Sequence, residues 1–387
     1  MVLLTALFVV VISLPFFKQV VLGEPKTEAI EGRRLNVFPV VSWKRFSTIK
    51  DFPASFDRYY NDHFGFRAAL LRLGSHIGVN YANISLSPDV IIGKSGWLFM
   101  RNESNQEAYS AGSVLSDADM EQWRRMLERK QKWLAHKGIK YLLVIPPVKQ
   151  DVYPEFMPDK YSHVHVKPPG EQLIDYLKAH HSTVDVISLR EPLLEAKASG
   201  KDRLYFRHDT HWNTLGAFTG YQAIVEHLQQ LFPEMKPMDR SDFRMEMEYH
   251  QGDLSRMMGV PDYSAENEPT LKQINPPVAV PAPDSKQGLK LTDAGVRMVM
   301  ETPGTANKRR VVMQHDSFTA LLIPLLSEHF SRITYLTLAW GDVSLKSENA
   351  LADIIRKEKP DIVIEERLAR FLFKPPDDKI VLGGVDD

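Results

Sequence analysis

Two short stretches of the chain hold the residue types that acyl transfer needs. The first is Phe206-Arg207-His208-Asp209-Thr210-His211-Trp212, where an aspartate stands two residues before a histidine, ahead of a long helical pattern. An aspartate so placed can hold an imidazole in one tautomer and orientation, as a general base requires. The same residues also read as a helix cap, with Asp209 or Asn213 serving the N-terminus. With His208 they read as metal ligands short of a further partner. The second stretch is Val311-Val312-Met313-Gln314-His315-Asp316-Ser317-Phe318, an apolar strand running through a polar turn into a helix. Ligands of open α/β sheets gather beyond the carboxyl ends of the strands. There the Ser317 N–H, at a helix N-terminus, can stabilise an oxyanion. An ordinary N-cap serine is the plainer reading. Together Asp209, His211 and Ser317 supply orienter, base and nucleophile. The pair His163 and His165 is a weaker metal candidate, better read as solvated surface.

The elements that must position these groups alternate. Ser116 with Asp119 forms a capping pair, and Met120, Trp123, Leu127 and Leu134 share one helical face up to Gly138. Residues 139–145 form a continuous apolar strand closed by Pro146-Pro147. A helix near 171–180, a strand at 184–187 and a long helix at 213–231 follow. Strands at 310–313, 333–336 and 361–364 alternate with helices at 317–330 and 349–357. Near-continuous apolar strands between helices predict an α/β fold, a mostly parallel sheet covered on both faces. Between 235 and 303 prolines and short alternating runs, such as 278–280, 289–291 and 296–300, predict an inserted β-rich segment. Residues 24–115 read as an arm and packing segment, with a helix opening at 61–67 and a turn and strand at 93–99. The catalytic domain is expected over 116–387.

Composition narrows the function. Lys and Arg total 48 against 49 Asp and Glu, a net charge of -1, so no global basic field points to nucleic acid. The absence of cysteine excludes disulfides, thiol catalysis and thiolate metal sites. A mean hydropathy of -0.26 excludes a multi-span membrane protein. Residues 2–17 are uncharged and apolar except for Thr5, Ser13 and Pro15. As a helix they would be ~24 Å long, short of a ~30 Å hydrocarbon core. A cleaved signal, an uncleaved anchor and a buried strand are the three readings of residues 1–23. The missing charged n-region and poor cleavage site favour the anchor.

Asp209-Thr210-His211-Trp212 resembles the Asp-x-His-Trp signature of the alginate O-acetyltransferase family, periplasmic SGNH-hydrolase-like proteins that acetylate exopolysaccharides. The blocks at 61–67, 93–99, Pro146-Pro147-x-Lys149 with Tyr153-Pro154, Gly252-Asp253-Leu254, 315–318 and 360–365 fit the same family. The likeness covers roughly 50–367, with Asp and His ahead of Ser as the family has them. It implies an SGNH-hydrolase-like (flavodoxin-like) sheet and a Ser317–His211–Asp209 triad that passes through an acetyl-serine. The acceptor would be a polysaccharide hydroxyl, the donor a membrane-bound acyl-donor protein. No cofactor and no metal are implied. Other exopolysaccharide-assembly proteins are the expected partners, in the periplasm, with residues 2–17 on the inner membrane. Candidate substrate contacts are Trp212 through its ring face or else buried, and Arg207 to a uronate or a structural acid. Lys149 would meet an acidic sugar or else be solvated, Asp253 would lie near the cleft or only make a turn, and Phe318 would add its N–H to an oxyanion hole. SGNH enzymes favour Gly-Asp-Ser where this chain has His315-Asp316-Ser317, so His315 would crowd the nucleophile turn or add a contact. An acetyl esterase with the same triad and a non-catalytic polysaccharide-binding scaffold are the alternatives.

Overall fold

The computed structural model describes residues 2–22, 35–40, 49–101, 115–161, 167–200, 202–260, 263, 266–285, 297–337 and 349–375. The amino-terminal part holds helices α1 (Val2–Leu22), α2 (Phe52–His63) and α3 (Arg67–Ile77), then the hairpin β1 (Val90–Ile92) and β2 (Leu98–Met100). Among the described residues no helix is long and apolar enough to cross a membrane, so the expected anchor is not borne out. The stretch 61–67 is a junction between α2 and α3 rather than a helix start, because Phe64 is extended (φ -56°, ψ 124°).

The alternating part follows the hydrophobic pattern. Helix α4 (Asp117–Ala135) begins where Ser116 Oγ accepts from the Asp119 N–H, and it buries Met120, Trp123, Leu127 and Leu134. Strand β3 (Lys140–Ile145), helix α5 (Pro169–Ala179), strand β4 (Val186–Ser188), helix α6 (Arg190–Ser199) and helix α7 (Thr214–Leu231) come next. Then come β5 (Phe243–His250), β6 (Glu266–Gln273), β7 (Val280–Pro281), β8 (Arg297–Glu301), β9 (Arg310–His315), β10 (Arg332–Thr337), α8 (Asn349–Glu358) and β11 (Ile362–Glu366).

One seven-stranded sheet runs β4-β3-β11-β9-β10-β8-β7. Its first five strands are parallel; β8 and β7 add an antiparallel edge. The expected insertion therefore divides. Its later part extends the main sheet, and its earlier part is a separate ribbon in which β5 pairs with β6 from Phe243↔Gln273 to His250↔Glu266. The run at 289–291 and the histidines at 163 and 165 lie outside the described residues.

The two-residue period of the central strands makes two cores. Leu142, Val144, Val311, Met313, Ile362 and Ile364 pack on one face with α7, while Leu143, Val312 and Val363 pack on the other with α4, α5 and α8. Each buried side chain of this size contributes about 1.5–3 kcal/mol. The helix expected over 317–330 is instead a 3-10 turn (Ser317–Leu321), a short helix (Ile323–Leu326) and a second 3-10 turn (Ser327–His329). Pro324 has no N–H to carry a helix back through this segment.

Candidate active site

The residues ahead of α7 are held in place before any chemistry is considered. Asn213 Oδ1 caps that helix, accepting from the Leu215 and Gly216 N–H groups at 3.0 and 3.1 Å. Behind the preceding loop lies Lys149, buried, whose ammonium donates to the carbonyls of Phe206 (3.0 Å), Arg207 (3.1 Å) and Asp209 (2.6 Å). Burial pushes Lys149 down to about 7 against the opposing pull of Asp209. The β1–β2 hairpin closes the same loop, with the Leu98 N–H donating to Arg207 O at 3.0 Å. Gly252 lets a second turn approach: a Cβ there would meet His208 O at 2.0 Å.

This packing brings the predicted triad together. His211 Nδ1 donates to Asp209 Oδ1 at 2.7 Å, which leaves Nε2 to accept from the Ser317 hydroxyl at 2.8 Å. Asp209 Oδ1 also accepts the His211 N–H (3.0 Å), and Oδ2 accepts from the Asp253 N–H (2.9 Å) and His250 Nε2 (3.2 Å). Burial opposes the Asp209 charge, but the bonds from His211 and His250 outweigh it and hold the carboxyl well below its usual range. Burial likewise opposes a charged His211. The bond and charge of Asp209 outweigh that too and raise the imidazole above its ordinary 6.5.

Ser317 sits on a turn built by carboxylates. Asp316 Oδ1 accepts the Phe318 N–H at 2.9 Å and Oδ2 accepts the Leu368 N–H at 2.9 Å. Glu366 Oε2 accepts the Asp316 N–H and the Thr319 hydroxyl, both at 2.9 Å. Ser317 and His211 open onto a cleft of about 340 Å³ whose lining includes Phe206, Tyr249, His250, Ala320 and Leu321.

Several expected substrate contacts have other duties. The Trp212 ring is wholly buried, and its indole N–H donates to Phe318 O at 3.0 Å, so it offers no face to a sugar and instead props the nucleophile turn. Lys149 is buried and spends its protons on backbone carbonyls, not on an acidic sugar. Arg207 meets a structural acid, Glu266, at 3.3 Å. Asp253 accepts the Thr210 N–H (2.8 Å) and hydroxyl (2.6 Å), so it braces the turn between Asp209 and His211. The Phe318 N–H is committed to Asp316 and is not a free oxyanion donor. His315 does not crowd the turn. It is buried beneath it, with Nδ1 2.7 Å from Asp316 O and its ring edge-on to Tyr335.

His208 turns away to Glu266 (3.1 Å), outside any metal set with Asp209. Ligand atoms of Asp209, His211 and Asp253 do converge within 4.8 Å. The Asp209 oxygens already accept four bonds and the Asp253 oxygens two. The Asp62-His63 pair serves the amino-terminal helices: Asp62 Oδ2 accepts from the Asn36 N–H at 2.8 Å, and His63 Nδ1 donates to Tyr59 O at 2.8 Å.

Sequence reasoning missed His250, Thr210 and Glu366. His250 follows Asp209 by 41 residues and reaches it only because β5 runs back along the loop, its ring stacked on Phe206 at 3.7 Å. Glu366 carried one signal, an acid at the end of an apolar strand.

Known proteins resemble this chain in sequence and in fold. The family model for the SGNH hydrolase-like domain of acetyltransferase AlgX matches residues 90–302, a segment that holds Asp209 and His211 and stops short of Ser317. The probable alginate O-acetylase AlgJ of Pseudomonas aeruginosa is 29% identical over 209 residues, 52% of this chain and 48% of that protein. Its counterpart from Pseudomonas syringae pv. tomato is 26% identical over 208 residues, 52% of this chain and 49% of that protein. The chain thus spans about half the length of the curated relatives it matches. The structure of Bacillus cereus PatB1 has a like fold, with a TM-score of 0.55 at 18% identity, covering 75% of this chain and 99% of that one. On the family match and the mixed α/β sheet together, the chain belongs to the SGNH hydrolase-like family of acetyltransferase AlgX.

Proposed function

We propose that this chain is an O-acetyltransferase that moves acetyl groups onto hydroxyls of an exported polysaccharide through Ser317, His211 and Asp209. The observation that carries the reading is the unbroken relay from Asp209 Oδ1 through His211 to Ser317 Oγ, open to a cleft at its serine end. Ser317 Oγ attacks the acetyl carbonyl of the donor while His211 Nε2 takes the hydroxyl proton, and Asp209 stabilises the imidazolium. The Ser317 N–H faces the developing oxyanion, since the Phe318 N–H is spent on Asp316. The donor's leaving group departs with the proton from His211, leaving an acetyl-serine. An acceptor hydroxyl then gives its proton to His211 and bonds to the acetyl carbon, and Ser317 Oγ leaves with that proton returned from His211 Nε2. A membrane-bound acyl-donor protein supplies the acetyl group, and exopolysaccharide-assembly proteins are the neighbours in the periplasm. Attachment to the inner membrane through residues 2–17 rests on the sequence alone.

The test uses the full chain, 4-nitrophenyl acetate and oligosaccharide acceptors. Nitrophenol release that disappears in Ser317→Ala and His211→Ala, with acetylated oligosaccharide found by mass spectrometry, supports the reading. Release of acetate with every acceptor unmodified makes the protein an esterase. Glycan binding without turnover makes it a scaffold.

A further inference from the structure

The β5–β6 ribbon walls the cleft with Glu248, Tyr249, His250 and Thr270. Among the described residues that line it stand two carboxylates, Asp209 and Glu248, and no lysine or arginine. Cations stand farther along the wall, and each already meets an acid. Lys272 lies 2.8 Å from Glu248, Arg244 2.6 Å from Glu246, Arg203 3.1 Å from Glu268, and Arg207 3.3 Å from Glu266. A polyuronate carries a carboxylate on every sugar, and no lysine or arginine among the described residues lining the cleft stands to receive it. A carboxylate that loses water there with no cation opposite it goes uncompensated, and such a cost is how a site rejects a partner.

The wall has something else to offer. Tyr249 is 66% exposed at the cleft, and Met247 (62%) and Met245 (40%) follow it on the same face of β5. Of the three, Tyr249 lines the cleft. A flat phenol face covers the C–H face of a pyranose ring while its hydroxyl stays wet. Resting on the transferase reading above, we infer that the acceptor is a neutral glycan, one without carboxylates on its sugars, with a ring against Tyr249 and a hydroxyl at Ser317.

The full chain is given 4-nitrophenyl acetate with neutral oligomers (cello-, xylo- and malto-oligosaccharides) or with oligomannuronate of equal length. Nitrophenol release and acetylated product are both measured. A neutral oligomer is expected to be acetylated with a kcat/KM at least about tenfold above the uronate. That ratio narrows in Glu248→Lys, which places a cation in the cleft lining, while Tyr249→Ala raises KM for the neutral oligomer several-fold. Acetylation of oligomannuronate as readily as of every neutral oligomer overturns the inference and leaves the transferase reading standing. If Ser317-dependent release is absent, or proceeds with all oligomers unmodified, the transferase reading falls and this inference falls with it.

Discussion

Glu365 and Glu366 are neighbours at the end of β11, and the strand's alternation sends them to opposite faces of the sheet. Glu365 enters a closed ionic cluster. It accepts from Lys130 Nζ at 2.5 Å, Tyr141 Oη at 2.9 Å and Arg367 Nη2 at 2.7 Å, and Gln314 Oε1 takes a further Lys130 proton at 2.5 Å. Burial opposes its charge, but Lys130 and Arg367 overcome that and hold the carboxyl far below its usual range. Glu366 lies under the nucleophile turn among donors that carry no charge. Its Oε1 is buried with no partner among the described residues. Burial first, and Asp316 beside it second, push this carboxyl well above its usual range. The first acid is ionised and ties α4 to the sheet. The second is pushed toward its neutral form by burial and supports a turn. On β11 the charge-paired acid sits where it fixes packing, and the acid pushed toward neutrality sits under the nucleophile turn.

If the two faces divide labour in this way, damage to them separates. Ser317→Ala and His211→Ala are expected to lower kcat by about 10⁴-fold or more, with the unfolding midpoint in urea unchanged. Lys130→Met is expected to do the reverse. It leaves Glu365 buried with one cation fewer, at a cost of about 3–5 kcal/mol in unfolding free energy, while the folded fraction keeps its kcat. A loss of kcat in Lys130→Met well below its melting temperature would break the division.

A smaller effect is expected in the pH profile. The imidazole must be neutral to take a proton, and Asp209 raises its pKa. The acid limb of kcat/KM therefore falls above the ordinary imidazole value of 6.5, with activity rising as His211 loses its proton. His250→Phe removes one charge-stabilising donor from Asp209 without touching Ser317. It is expected to lower kcat by about tenfold with KM little changed, as the loss of a group that positions another does. An unaltered kcat in that variant would remove His250 from the positioning set.

Much of this was legible in the chain. The Asp209–His211 pair and the strand-to-turn position of Ser317 were legible because each is local and set by an element end, whereas the meeting of His211 with Ser317 spans 106 residues and is set by packing. The parallel strands were legible because both of their faces are apolar. What escaped depended on which side of an element a residue faces after packing. Trp212 and Lys149 have side chains suited to a sugar, and the close approach of the β1–β2 hairpin and the nucleophile turn consumes both. His315 replaces a glycine at a crowded position, yet β9 points it into the core. The insertion was visible as β-rich. Its division between the sheet edge and the cleft wall was not, since pairing partners are set by contacts distant in sequence.

The smallest effect tests the comparison most directly. A glutamine at 366 keeps the shape of a protonated glutamate, with a carbonyl oxygen for the Asp316 N–H and Thr319 hydroxyl and an amide N–H₂ in place of the acid proton. Glu366→Gln is therefore expected to hold kcat within about twofold of wild type near neutral pH. The sign of its effect on stability follows from the raised pKa. A carboxyl whose folded pKa lies above its unfolded value of about 4.5 contributes fully below that value, and the contribution is lost as pH rises through the folded pKa. Wild type thus loses stability on the alkaline side, and the glutamine variant, which has no proton to lose there, gains on it by about 1 kcal/mol. Glu366→Ala removes the acceptor for both donors, frees the turn, and is expected to cut kcat by about tenfold. Urea unfolding across pH, run beside kcat for the three proteins, decides the matter. A glutamine variant as impaired as the alanine one would mean that the nucleophile turn needs a charge at 366, and that the two faces of β11 are alike.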